Sequence, residues 1–186
     1  TAVGIGKVPE AQLDVRGVAQ FGSIYAPGTI IQVKHNGGTT GLAYSSAGGS
    51  SNGDISITYA TGFKLSITPR STKSQIYVNM NVLAYFASMG SSVTNGVRAQ
   101  VWRKVGTTYT RVLGRGGSAH DLHRYGTPVE NLHTYLHISF VDGAPNTLET
   151  VEYELRAVLI STTGTLQIGN NNNQPATITL MEIGGE

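Results

Sequence analysis

The stretch QIYVNMNVLAYF, residues 75–86, is the clearest strand in the chain. Its alternate positions form an apolar face, made of Ile76, Val78, Met80, Val82, Ala84 and Phe86. The positions between them form a second face, made of Tyr77, Asn79, Asn81, Leu83 and Tyr85. A period of two is typical of a β-strand with one buried side. The second face is too polar for a core and suits a contact between subunits or a ligand groove, so Tyr77 and Tyr85 are candidate contact residues.

Similar alternation recurs along the chain and predicts about ten strands. They cover residues 29–35, 54–59, 63–68, 75–86, 95–105, 108–113, 133–141, 150–160, 164–169 and 176–183. Residues 36–53 and 114–132 are predicted to be long loops, the first anchored only by Leu42 and Tyr44. No segment has the apolar period of a helix, and the strands follow one another at fairly regular spacing. The pattern therefore predicts an all-β protein with a jelly-roll-like antiparallel β-sandwich.

Composition limits the classes of function. The 186 residues include 24 glycines, no cysteine, only 13% charged residues and a net charge of +2. Without cysteine there is no disulfide and no thiolate chemistry. Because no Lys/Arg run occurs, we expect no nucleic-acid partner. No apolar stretch approaches the ~20 residues of a transmembrane helix, so we expect no membrane insertion. Thr1 is not a natural translation start, so we expect the natural chain to begin earlier.

The N-terminal stretch TAVGIGKVPEAQLDVRGVAQF, residues 1–21, differs from the rest. It has too few apolar residues to bury a core of its own, so we expect it to become ordered by packing on something else, most simply on copies of itself. We therefore divide the chain into a stem or attachment arm, residues 1–23, and a β-sandwich head, residues 24–186. The candidate contact residues of the stem are Val3, Ile5, Leu13, Val15 and Phe21.

Residues 3–21 resemble a segment that is common in bacteriophage tail fibres and related virion appendages. The resemblance rests on VGIG, Pro9 and LDVRG, while Lys7 and Val8 replace a usual Thr-Thr or Thr-Ser pair. Three later blocks resemble the distal β-domain of phage fibre and virion decoration proteins. These blocks are GTIIQV (residues 28–33), FKLSITPRSTKSQIYVNMNV (63–82) and TITLMEI (177–183). We expect the last block to be central, because it would return to pair near the start of the head.

The resemblance implies a virion structural protein, a homotrimeric tail-fibre tip or capsid fibre that functions in assembly and adhesion to a host surface. Its expected location is the virion. Its expected partners are its own copies, other virion proteins and a host cell-surface glycan. The stem would be either a trimeric shaft or an arm along a neighbouring virion protein. Two alternatives stay open, a carbohydrate-binding receptor module and a polysaccharide hydrolase.

A receptor site is predicted in the second long loop, residues 115–131. Tyrosine, tryptophan, histidine and arginine side chains can stack on sugars or contact them through their polar ends. The candidate receptor-binding residues are Trp102, Arg115, His120, His123 and Tyr125.

We predict no enzyme activity, no catalytic residue, no cofactor and no metal. His120, Asp121 and His123 lie close in sequence but match no strong metal motif. His133 and His137 point the same way on a strand, about 13–14 Å apart, which is too far for one ion within a chain. One histidine from each of three subunits could still meet at an ion on a threefold axis. There is no G-x-S-x-G elbow, and a hydrolase would need two close carboxylates in a cleft.

Overall fold

The computed structural model describes residues 28–37, 42–44, 60–87, 95–114, 121–124, 131–143, 145–159, 165–168 and 176–185. These residues form eleven strands and no helix, so none of them belongs to a helix that could cross a membrane. The strands are β1 (Ile30–Gly37), β2 (Leu42–Tyr44), β3 (Ala60–Ile67), β4 (Gln75–Ala87), β5 (Asn95–Val105), β6 (Thr108–Leu113), β7 (Asp121–Arg124), β8 (Asn131–Asp142), β9 (Val151–Leu159), β10 (Thr165–Ile168) and β11 (Thr177–Ile183).

The strands form two antiparallel sheets, each four strands wide. The first sheet has the order β1, β11, β4, β8, and the short strands β2 and β10 continue the lines of β1 and β11. The second sheet has the order β3, β9, β5, and both β6 and β7 pair with the far edge of β5. The pairs are nested in sequence: β5 with β6, β4 with β8, β3 with β9 and β1 with β11. This is one long hairpin rolled into two layers, which confirms the predicted jelly-roll-like sandwich.

The core lies between the two sheets and is built from the alternation that the sequence predicts. The inward side chains of β4 are 0–1% exposed from Ile76 to Ala84. They meet the inward side chains of the other strands, including Ile138, Val151, Leu155, Ile178 and Leu180. Burying a side chain of this size contributes about 1.5–3 kcal/mol. The expected central position of the last strand is confirmed, because β11 lies between β1 and β4.

One charged residue occupies a core position of β11. Glu182 is 0% exposed, and its carboxylate accepts three hydrogen bonds of 2.6 Å. The donors are the side-chain amide of Gln32, the backbone N–H of Arg70 and the hydroxyl of Ser74. A buried carboxylate is tolerated when such donors replace water. The network joins β1, β11 and the 68–74 turn, so the blocks 28–33, 63–82 and 177–183 meet at this residue.

A second buried carboxylate ties the two sheets together. Asp142, the last residue of β8 in the first sheet, accepts a hydrogen bond of 2.7 Å from the hydroxyl of Tyr153 on β9. It also forms an ion pair of 2.8 Å with Arg103 on β5. Burial raises the pKa of Tyr153 above its usual range, and the negative charge of Asp142 raises it further. The native hydroxyl therefore keeps its proton and its bond to Asp142.

Three details differ from the sequence expectations. The predicted loop 114–132 contains β7, which pairs with β5 although Leu122 is its only apolar residue. The predicted loop 36–53 contains β2, formed by its two apolar anchors and Ala43. β9 is buried on both sides rather than one, since Glu154 and Arg156 are 6% and 3% exposed.

Several expectations lie outside the described residues. Among them are the predicted strand 54–59 and all stem candidates, namely Val3, Ile5, Leu13, Val15 and Phe21. The division into a stem, residues 1–23, and a head, residues 24–186, therefore stays a prediction.

Candidate interaction surface

The outer side of the first sheet forms one continuous surface across four strands. The register of the four strands places their outward side chains side by side in rows that run across the sheet. One such row consists of Val33, Met181, Tyr77 and Val141. We call this surface the uncharged face. It consists of Ile30, Val33, His35 and Gly37 from β1, Thr177, Thr179, Met181 and Ile183 from β11, Gln75, Tyr77, Asn79, Asn81, Leu83 and Tyr85 from β4, and His133, Tyr135, His137, Ser139 and Val141 from β8.

No Asp, Glu, Lys or Arg belongs to this face among the residues that the structure describes. The nearest charged residues on the same strands point to the other side. Lys34 is paired with the core residue Leu180, and Asp142 with the core residue Ile76. A solvent-exposed sheet side normally carries charged residues, so their absence across four strands requires a reason.

The same face holds most of the exposed large hydrophobic side chains in the described part of the chain. In the described part of the chain, five large hydrophobic side chains are exposed, and four lie here. They are Ile30 at 55%, Val33 at 51%, Val141 at 49% and Tyr135 at 38%. The fifth, Leu148, lies in the segment before β9. Exposed apolar residues that gather on one surface indicate a contact with another molecule.

Polar groups on the face bond to one another and so hold it in one conformation. The hydroxyls of Tyr77 and Ser139 are 2.8 Å apart, and the side-chain amide of Asn79 donates to the Tyr77 hydroxyl at 3.3 Å. These two hydrogen bonds, that to Ser139 first, lower the pKa of Tyr77 from its ordinary value. His35 Nδ1 lies 2.9 Å from the Thr179 hydroxyl. A rigid surface loses less entropy when it binds.

Rings line the β8 side of the face. The Tyr85 and His133 ring centroids are 4.6 Å apart, and those of Tyr135 and His137 are 6.0 Å apart. His133, Tyr135, His137 and Ser139 of β8 are all exposed, and His133 and His137 point the same way, as the sequence predicts. The structure brings Tyr77 and Tyr85 onto one surface, as the sequence predicted. Their role as subunit contacts stays a prediction.

The β8 edge of the first sheet shows a second unusual feature. Within the described chain, β8 pairs only with β4, over twelve residues and without a register shift. Asp142, its last residue, is the only charged residue in it. The opposite edge strand, β1, has both a register shift and Lys34. Proteins commonly protect a free sheet edge by irregularities and charged residues, and β8 has neither along residues 131–141.

The outer side of the second sheet has a different character. Arg156 is 3% exposed, and its guanidinium carbon lies 4.2 Å from the Trp102 ring centroid and 4.8 Å from that of Tyr109. Glu154 lies beside it, with the ion-pair atoms 3.5 Å apart. Cations over aromatic faces are stabilised by the ring quadrupole. This side is thus a packed layer of charged and aromatic groups.

Most of the candidate receptor-binding residues lie outside the described residues. Trp102 is 8% exposed, and its indole N–H donates to the Gln100 side chain at 3.2 Å. Arg115, His120 and Tyr125 lie outside the described residues. His123 lies in β7 opposite Gly96, and only its backbone is described. The receptor site stays a prediction.

A shallow groove of about 320 Å³ lies at one end of the second sheet. It is lined by Ser66, Lys104, Gly106, Glu149, Thr150 and Glu152. The Glu152 carboxylate forms an ion pair with the ammonium group of Lys64, with the two atoms 3.2 Å apart. The described residues contain no group of three or more His, Asp or Glu placed to hold a metal ion.

The uncharged face was only partly visible in the sequence. Tyr77 and Tyr85 were identified because they alternate with core residues. Val33, His35 and Val141 were missed as contact residues, since their position on one face depends on the order of the strands. The sequence does contain one indication of the uncharged face. None of the thirteen residues of β4 is charged, and none of residues 131–141 of β8 is charged.

The sequence matches no protein-family model and no curated protein. Among solved structures, the chain is similar to the infectious bursal disease virus VP2 subviral particle, with 16% identity, a TM-score of 0.43 and coverage of 96% of this chain and 42% of that one. It is also similar to the structure of the Gt strain of that virus, with 15% identity, a TM-score of 0.41 and coverage of 95% and 42%. The chain thus spans less than half the length of these neighbours.

Proposed function

We propose that this chain is a virion structural protein that assembles as a homotrimer, with the uncharged face in contact with a neighbouring copy. The uncharged face is the observation that carries the proposal. Jelly rolls serve both as viral capsid domains and as lectins, so the fold alone does not decide. The resemblance of residues 3–21 and of the three later blocks supports the virion role, and more specifically a bacteriophage fibre or decoration protein.

The size of the face suits a specific contact. Two strands of about 40 Å and two of about 25 Å, spaced about 4.8 Å apart, cover roughly 600 Å² in projection. Stable protein interfaces bury about 800 Å² of accessible surface on each partner. A side-chain-covered face of this projected area offers accessible surface of that order.

A second copy of the chain is the occupant that the charge distribution favours. Around a threefold axis, three copies of a face without fixed charge can meet without like-charge repulsion. A charged partner would instead be expected to find complementary charges. The β8 edge adjoins the face and lacks the usual protection of a free sheet edge. One neighbouring copy could therefore bury both the exposed apolar side chains of the face and the unpaired edge of β8.

Adhesion belongs to the same proposal but rests on other residues. We assign host-surface binding to the loop 115–131, on the sequence argument alone; Trp102 is only 8% exposed and so offers little surface to a ligand. We propose no enzyme activity for the groove beside Glu149 and Glu152, where Glu152 forms an ion pair of 3.2 Å with Lys64.

The contact can be tested with a matched pair of substitutions. Val141→Lys places a charge on the face, at a residue 49% exposed, whereas Leu148→Lys changes a residue 58% exposed outside it. Burying an unpaired ammonium group costs at least about 2 kcal/mol, so we expect the dissociation constant of V141K to rise at least about 30-fold. Light scattering should give three times 19.7 kDa for the wild type and for L148K.

Either of two results would overturn the proposal. A wild-type monomer at micromolar concentration would exclude self-assembly. A V141K variant that remains trimeric at the same concentrations, with an unchanged circular dichroism spectrum, would exclude the uncharged face as the contact. Loss of the trimer in V141K but not in L148K would support it.

A further inference from the structure

Three of the five histidines of the chain lie on the uncharged face. His35 is on β1, and His133 and His137 are on β8, so they reach both outer strands of the first sheet. All three are exposed in the single chain. A histidine side chain titrates near pH 6.5 in model peptides, whereas the other side chains of this face do not change charge between about pH 5 and 8.

Among the residues that the structure describes, the neighbours of these histidines offer no countercharge. His35 faces the hydroxyl of Thr179, His133 faces the ring of Tyr85, and His137 lies beside Asn81 and Tyr135. On β11 the outward residues are Thr177, Thr179, Met181 and Ile183, and none of them titrates. The only other titratable groups of the face are the phenols of Tyr77, Tyr85 and Tyr135, which carry no positive charge in either protonation state. Lys34 and Asp142 point to the other side of their strands.

We propose that protonation of His35, His133 and His137 dissociates the homo-oligomer, so that its assembly is reversible between neutral and mildly acidic pH. This inference rests on the proposed contact through the uncharged face. In the contact, an imidazolium would lose water and meet only hydroxyls, amides, aromatic rings and apolar groups. A buried charge without a partner is disfavoured, so assembly requires each buried histidine to be neutral.

Linkage gives the direction and the size of the effect. If a histidine must release a proton on assembly, the dissociation constant rises as pH falls below about 6.5. At about pH 5.5 the dissociation constant rises about tenfold for each histidine that must be neutral in the contact. Three such histidines per chain would therefore raise it by up to about a thousandfold.

The experiment measures the dissociation constant of the full chain by sedimentation velocity at about pH 7.5 and about pH 5.5, at constant ionic strength. A chelator is present in both buffers, so that loss of a histidine-bound metal cannot cause the change. The test variant is His35→Gln/His133→Gln/His137→Gln. The control variant is His120→Gln/His123→Gln, which changes the other two histidines.

We expect the wild type and the control variant to be trimeric at the higher pH and to dissociate at the lower one, with a dissociation constant raised at least about tenfold. The triple variant should remain assembled at both pH values. An oligomer that is unchanged between the two pH values overturns this inference alone, as does a triple variant that keeps the full pH response. A wild-type monomer at both pH values overturns the proposed function and this inference with it.

Discussion

Glu182 is a charged residue at a core position, and its environment explains why the fold accepts it. Oε1 accepts from the backbone N–H of Arg70 and from the Ser74 hydroxyl, and Oε2 accepts from Gln32. The Gln32 amide also donates to the carbonyl of Thr68. The alternation in TITLMEI places Glu182 on the same side of the strand as Ile178 and Leu180. Its partners could not be predicted, because they come from distant parts of the chain.

Replacing the carboxylate by an amide tests this network. In Glu182→Gln one oxygen becomes an NH₂ group that faces the Gln32 amide, so two donors oppose each other. Gln32 cannot rotate its amide without losing its bond to Thr68. We expect a destabilisation of about 1–3 kcal/mol, measured by urea unfolding at constant protein concentration.

A matched substitution separates this effect from the general loss of a negative charge. Glu149→Gln changes an exposed glutamate and should alter the free energy of unfolding by no more than about 0.5 kcal/mol. If E182Q unfolded at the same urea concentration as E149Q, the hydrogen bonds at Glu182 would not contribute to stability.

At the scale of elements, apolar alternation decided which strands could be predicted. β5 and β6 were predicted with the observed bounds, because Val97, Ala99 and Val101 alternate and Gly106 marks the turn. Gly106 has a φ of 57°, which a two-residue hairpin turn favours for glycine. β7 was missed because a strand with one apolar residue has no alternation, and only backbone pairing with β5 defines it.

A hydrogen bond and an ion pair at Asp142 connect β8 to β9 and β5. Tyr153→Phe removes the hydroxyl that donates to Asp142 and leaves the ion pair with Arg103 in place. The carboxylate then has one partner fewer inside the sandwich. We expect a loss of about 1–3 kcal/mol at neutral pH, measured by chemical unfolding.

The same substitution should change the response to alkaline pH. In the unfolded chain Tyr153 ionises near pH 10, whereas burial and the charge of Asp142 raise its native pKa. The native state thus holds a proton that the unfolded state releases, so this stabilisation is complete below about pH 10 and decreases above it. The wild-type advantage over Y153F should therefore shrink by up to about 1.4 kcal/mol per pH unit. An advantage that stays constant up to about pH 11.5 would contradict the role of this hydroxyl.

At the scale of the whole molecule, the two outer surfaces of the sandwich differ in charge. The second sheet carries Glu154 and Arg156 in a layer closed by Trp102, while the first carries no fixed charge among its described residues. The sequence predicted a polar-aromatic face on one strand. It could not predict a face four strands wide, because the position of β1 beside β11, and of β8 beside β4, depends on pairing between distant segments.

This difference makes the salt dependence of assembly a test of which surface is buried. At about pH 7.5 a contact through the uncharged face contains no ion pair for salt to screen, because the face has no Asp, Glu, Lys or Arg among its described residues. Its dissociation constant should change less than about threefold between about 0.05 M and 0.5 M NaCl. A contact through the second sheet, with groups such as Lys64 and Glu152, should weaken markedly as salt rises.

At about pH 5.5 the dissociation constant of a contact through the uncharged face should fall as salt rises, because salt screens the repulsion between imidazolium groups and so favours assembly. Sedimentation velocity at four combinations of pH and salt measures all these effects. A dissociation constant that rises tenfold with salt at the higher pH would place the contact elsewhere on the molecule.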